Sequence, residues 1–288
     1  MNQNVFNKYL SSISNNSEGK YCGKASEALS INVGKIFGQG EWPWLAAIFL
    51  RNDFGLQFHC SGSLISMKHI ATAAHCTQDQ DSGPILPEEF LIYLGKYNLE
   101  KWAEPNSQIR EVSAIIVHPD FQLANYTADL AVLELSTPII YNRFVRPVCL
   151  WNSHLSLQPP TGNFGIVVGW GKDKTGGPIR TEPRIVQLPI VGQEECLRSR
   201  KDFFYITSDR TLCAGFRNGT GPCNGDSGGG FIFFVPNENN EYVWQLRGII
   251  SLSLLDQDKL TCDLTHFAVF TDVARFTDWL THTFNITY

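Results

Sequence analysis

Three short stretches hold the residues best equipped for chemistry. Cys223-Asn224-Gly225-Asp226-Ser227-Gly228-Gly229-Gly230 sets one hydroxyl and one carboxylate in a run of glycines, where backbone N–H groups can face a developing oxyanion unobstructed. Thr72-Ala73-Ala74-His75-Cys76 ends an apolar run on an imidazole, and Ala128-Asp129-Leu130-Ala131-Val132-Leu133 places a carboxylate at the edge of a hydrophobic segment. A serine hydroxyl attacks a carbonyl only when a base takes its proton, and an imidazole held by a carboxylate is such a base. Any one of the three would pass as structural. Together, in the order His75, Asp129, Ser227, they point to nucleophilic acyl transfer.

These groups must be carried by strands. Residues 45–50, 58–65, 70–73, 91–95, 113–119 and 231–235 alternate or run apolar, as half-buried strands do. The 271–284 stretch instead spaces Val273, Phe276, Trp279 and Leu280 for one helix face, which reads as a packing helix and not a membrane anchor. Gly176-Gly177-Pro178 marks an exposed loop.

The three motifs and their order resemble the chymotrypsin-like serine protease family, over roughly residues 31–283. The resemblance implies an all-β fold: two six-stranded antiparallel β-barrels with the active site between them, and a C-terminal α-helix. It implies that His75 is the base, Asp129 its orienting carboxylate and Ser227 the nucleophile, with the N–H groups of Gly225 and Ser227 as the oxyanion hole. It also implies that Ser251 supports Asp129. Eight cysteines without a C-x-x-C pair favour disulfides over zinc and an oxidising compartment. Their spacing leaves about a hundred pairings open; the resemblance implies Cys22–Cys149, Cys60–Cys76, Cys196–Cys213 and Cys223–Cys262.

Several positions depart from the family pattern. Relatives are activated by a cut that frees an Ile to pair with the aspartate before the nucleophile, here Ile31 and Asp226, yet Ser30 stands where most carry Arg or Lys. Cleavage after Ser30 by an unusual protease, activity without that cut, and latency all remain open, with the first preferred. The implied substrate pocket, Gly221, Pro222, Asn224, Ser251, Leu252, Ser253 and Ala268, has Gly221 in place of the aspartate that binds basic side chains. Ser253 and Ala268 replace glycines, so a preference for small or medium apolar side chains is expected. Asp256 and Asp258 are the acids nearest to a missed anionic site. Lys96 occupies the place of a calcium-ligating glutamate, so no metal is expected there. Phe233 and Gly230 replace a cysteine and a proline.

Of the 288 residues, 43% are hydrophobic and 18% charged, with a net charge of −5. That composition suits a large buried core and argues against nucleic-acid or acidic-membrane partners. Residues 1–30 read as a flexible leader tethered through Cys22, and 31–288 as the catalytic domain. Asn15, Asn125, Asn218 and Asn285 each begin an N-x-Ser/Thr triplet, in keeping with secretion. The start Met1-Asn2-Gln3-Asn4 lacks an apolar leader segment, so a piece of a longer chain is expected.

The expectation is therefore a secreted, monomeric serine endopeptidase made as a zymogen. Its partners would be protein or peptide substrates, an activating protease and protein inhibitors, and it would need no cofactor. The alternative is a protease-like binding protein with a silent site. An esterase on an α/β-hydrolase fold is excluded by chain order, because that fold places its nucleophile first.

Overall fold

The computed structural model describes residues 22–25, 38–53, 55–79, 83–151, 161–172, 177–256 and 261–286. Twelve principal strands carry the architecture. The first six are β1 (Leu45–Asn52), β2 (Gly55–Leu64), β3 (His69–Thr72), β4 (Phe90–Leu94), β5 (Gln108–Val117) and β6 (Ala131–Leu135). They close an antiparallel barrel in the order β1-β2-β3-β6-β5-β4. The second six are β7 (Phe164–Gly169), β8 (Arg184–Val191), β9 (Thr211–Ala214), β10 (Gly230–Pro236), β11 (Tyr242–Leu252) and β12 (Ala268–Asp272). Their order is β7-β8-β9-β12-β11-β10, closed by β7–β10 pairing, so the second half repeats the topology of the first. Two barrels are what the sequence led one to expect.

Period-two patterning explains why these segments are strands. In β8, Val186, Leu188 and Ile190 point inward while Gln187 and Pro189 do not. The first barrel is filled by Ile48, Leu64, Ile70, Ile92 and Leu133, the second by Val167, Leu188, Leu212, Phe231 and Phe270. Phe233, in place of the expected cysteine, stays in this core, edge-on to Trp151 at 6.2 Å. At Gly230 a Cβ would come within 2.5 Å of Ser63 Oγ, so the two barrels approach backbone to side chain. Trp42 and Trp44, leading into β1, stack edgewise around Trp244 of β11.

Cys22 is joined to Cys149, and the short segment around it is held by Gly23 N–H to Pro147 O at 2.8 Å and Trp244 N–H to Gly23 O at 3.0 Å. The other disulfides are Cys60–Cys76, Cys196–Cys213 and Cys223–Cys262, so all four implied pairs are formed. Ser30, Ile31, Asn15 and Asp258 lie outside the described residues.

Three helices are short: α1 (Gln193–Ser199), α2 (Phe203–Ile206) and α3 (Thr277–Phe284). The expected helix over 271–284 begins later, because Thr271 and Asp272 end β12 and a 3-10 turn, Val273–Arg275, intervenes. Asp272 is the reason. Its carboxylate is locked by the fully buried Arg247 (Nε–Oδ1 2.8 Å, Nη2–Oδ2 3.0 Å) and also accepts from Ala274 N–H, turning the chain there. Among the described residues no helix is long and apolar enough to cross a membrane.

Candidate active site

Each chemical group sits just beyond a strand end, at the seam of the barrels. His75 lies in the 3-10 turn Ala74–Thr77 that follows β3, pinned by the neighbouring Cys76–Cys60 bridge. Asp129 lies two residues before β6, after two residues with left-handed backbone, Tyr126 (φ 57°) and Ala128 (φ 48°). Non-glycine residues hold such φ values only where their surroundings over-determine them. Ser227 precedes β10 in the glycine loop. A Cβ at Gly228 (φ 76°) would lie 2.1 Å from Thr72 Oγ1, so glycine is required there.

Asp129 is fully buried, and both oxygens of its carboxylate meet His75. Its Oδ1 accepts from His75 N–H and its Oδ2 lies 2.8 Å from His75 Nδ1. A carboxylate only accepts, so Nδ1 carries the proton and Nε2 is left as a base. Ser251 Oγ also donates to Oδ2, at 2.6 Å, and Thr271 Oγ1 donates to Asp129 O at 2.8 Å. In this way the second barrel holds a carboxylate of the first. The reverse also occurs: Ser61 N–H donates to Ser227 O at 2.8 Å and Ser61 Oγ to Gly225 O at 3.0 Å.

His75 and Ser227 face one cavity of about 160 Å³. Among the described residues no hydrogen bond joins Ser227 Oγ to Nε2; such bonds are often long without substrate. Lys172 N–H donates to Asn224 O at 2.9 Å. Across a trans peptide the following N–H points the opposite way, so Gly225 N–H is turned from that bond. Neither it nor Ser227 N–H is engaged among the described residues.

Asn224, Ser251, Leu252 and Ser253 line the cavity, together with Ile250, Leu255 and Tyr126, the last of which the sequence reading did not single out. Tyr126 stands edge-on to His75 with ring centroids 5.6 Å apart. Its only signal was nearness to Asp129. Gly221, Pro222 and Ala268, placed in the pocket from the sequence, do not line it. Ser253 does line it, and its hydroxyl donates to Pro222 O at 3.0 Å. Ala268 is buried in the second barrel's core and Gly221 backs onto Leu264. Among the described residues no lining residue is acidic.

Asp226 is 2% exposed; burial pushes its carboxyl pKa up, against the opposing effect of a nearby arginine, Arg184. That arginine was not anticipated, since nothing local marks the first residue of β8. Lys96, where calcium was not expected, is buried, donates to Lys101 O, and lies 3.9 Å from Glu104 Oε2. Asn218 and Asn285 are exposed and Asn125 half-buried.

A family model described as Trypsin matches residues 31–280. Over 275 residues the chain is 35% identical to the serine protease gd of Drosophila melanogaster, covering 84% of this chain and 51% of that protein. It is 31% identical to the proclotting enzyme of Tachypleus tridentatus (84% of this chain, 62% of that one) and 32% identical to coagulation factor IX of Cavia porcellus (83% and 76%). The chain thus spans about half the length of the first of these relatives and under two thirds of the second.

Proposed function

This chain belongs to the trypsin family of serine proteases, and from that membership we propose that it is a serine endopeptidase with residues 31–288 as its catalytic domain. The observation that carries the proposal is the 2.8 Å contact of His75 Nδ1 with a fully buried Asp129, facing Ser227 across one cavity. His75 Nε2 takes the Ser227 proton as Oγ attacks the substrate carbonyl, then returns it to the leaving amine; water releases the acyl group by the same route. Gly225 and Ser227 N–H groups receive the oxyanion, each donor worth roughly 100- to 1000-fold in rate.

Cleavage within a chain needs room on both sides of the nucleophile. Beyond Gly225, Phe58 and Ile179 border a second, largely apolar hollow of about 310 Å³ that also includes Phe49 and Trp102. It suits the leaving half of a polypeptide. On the acyl side, the small cavity, with no acid among its described lining residues, favours small or medium apolar side chains. A buried arginine without a partner there would cost several kcal/mol, on the order of about 3–5.

The relatives named as clotting enzymes support action on a few protein substrates within a cascade, with protease partners. Four disulfides and exposed N-x-Thr sites support secretion. A fluorophosphonate probe tests the core of the proposal. Labelling abolished by Ser227→Ala, together with hydrolysis of an Ala- or Val-directed peptide over an Arg-directed one, is expected. A correctly folded chain that never labels would identify a binding protein on a protease scaffold.

A further inference from the structure

Asp226 is enclosed on every side. Its Oδ1 accepts from Gly171 N–H at 2.8 Å and its Oδ2 from Cys223 N–H at 3.0 Å, and at Gly169 and Gly171 a Cβ would come within 2.2 Å of the carboxylate. A buried anion needs a matching cation. Among the described residues the cation that meets it is Arg184, whose Nη2 lies 3.6 Å from Asp226 Oδ2 and donates to both Lys172 O and Gly221 O at 3.0 Å. One nitrogen therefore ties the segment at Lys172 to the residues that lead into the nucleophile loop. Arg184 Nε is buried with no acceptor among the described residues. Leaving a donor unpaired is costly; the contacts of Nη2 with Asp226, Lys172 O and Gly221 O are what hold the side chain there.

The loop beside this pair is formed. Lys172 N–H holds Asn224 O, and Gly225 keeps the left-handed backbone (φ 97°) that leaves its N–H free. We infer that Arg184 is a positioning residue: it supplies, from within the chain, the positive charge that Asp226 requires, so that the oxyanion loop is ordered and Ser227 reactive before any new amino terminus is cut. A guanidinium is charged at every physiological pH, so this tie is independent of processing. It also removes the difficulty posed by Ser30, because a chain with its own cation does not depend on a cut at that bond. The inference rests on the acyl-transfer reading above.

The test uses the full chain, verified as uncleaved by intact mass, beside the same chain processed to begin at Ile31, both exposed to a fluorophosphonate. Intact wild type should label at a rate within about threefold of the processed form, and Arg184→Gln should slow labelling of the intact chain at least about tenfold, given how costly an unpaired buried charge is. Arg184→Lys should retain most of the rate. Processed Arg184→Gln should recover, because the Ile31 ammonium can then meet Asp226; a merely structural lesion would not recover. Labelling of the processed chain alone, unaltered labelling of intact Arg184→Gln, or failure of processed Arg184→Gln to recover would each overturn the inference. Silence of both wild-type forms would instead overturn the acyl-transfer reading, and this inference with it.

Discussion

Ser251 Oγ donates to Oδ2 of Asp129 at 2.6 Å, the same oxygen that lies 2.8 Å from His75 Nδ1. The register of β11 against β12 explains how it reaches. Ile250 pairs with Phe270 and Leu252 with Val269, leaving Ser251 as the extra residue of a bulge, turned out of the ladder and across to the first barrel. Removing this donor weakens the hold on the imidazole without deleting either partner. Ser251→Ala is expected to lower kcat on a peptide substrate roughly 10- to 150-fold, the worth of one hydrogen bond to a charged group. Asp129→Asn, which reverses the preferred tautomer, should lower it about 10⁴-fold. A Ser251→Ala enzyme with wild-type kcat would show that the bond is incidental.

On the specificity proposed above, Ser253 sets how deep a side chain can enter. Its hydroxyl bonds Pro222 O across the slot, so Ser253→Gly should open the space behind. The ratio of kcat/KM for Phe-directed over Ala-directed substrates should rise by about tenfold or more, in line with what a few buried atoms discriminate. An unchanged ratio would place the specificity barrier elsewhere, with Leu252 or Leu255 next to be tried.

Lys96 fills its loop with an ammonium. Nζ sits over the Tyr93 ring, 5.0 Å from the centroid, and near Glu104, whose carboxylate accepts from Tyr97 and Asn98 N–H groups. Thermal stability should therefore be indifferent to calcium or chelator. Lys96→Glu sets two carboxylates together and should lower Tm by roughly 10 °C in chelator, with added calcium restoring part of it. A calcium-dependent Tm in the wild type would refute the assignment.

Acid should destabilise the fold through its buried histidines. Burial lowers the imidazole pKa of His59, His69 and His118. With the folded value below the unfolded one of about 6.5, the unfolded chain binds more protons as pH falls. Their contribution to stability is thus complete above the unfolded pKa and lost progressively below it. Calorimetric Tm should be level from about pH 7 to 8 and fall from about pH 6.5 to 5. His118 packs against Phe276 and Trp279 with centroids 4.9 and 4.8 Å away, so His118→Phe keeps the stacking and should flatten that slope. A Tm that rises on acidification would contradict the sign.

What could be read from residues alone was whatever is enforced locally. The glycines around Ser227 are dictated by backbone geometry, as the 2.1 Å approach of a Cβ at Gly228 to Thr72 Oγ1 shows, and so they stay visible in the chain. Period-two runs announced the strands, and the order of His75, Asp129 and Ser227 pointed to the family and, through it, to the two barrels. The C-terminal helix was legible as a period but not in its start, because Asp272 is held by Arg247, far away in the chain. Three features waited for the tertiary structure: the Arg184–Asp226 contact, the bulge that aims Ser251, and the hydrogen bond from Ser253 to Pro222 O. Each joins groups distant in sequence, by side chains whose direction is set only when two barrels close and pack. No spacing rule spans such a gap, since the energy that selects these partners is the cost of burying charge and hydroxyl groups unpaired, and that cost arises only once the seam has excluded water.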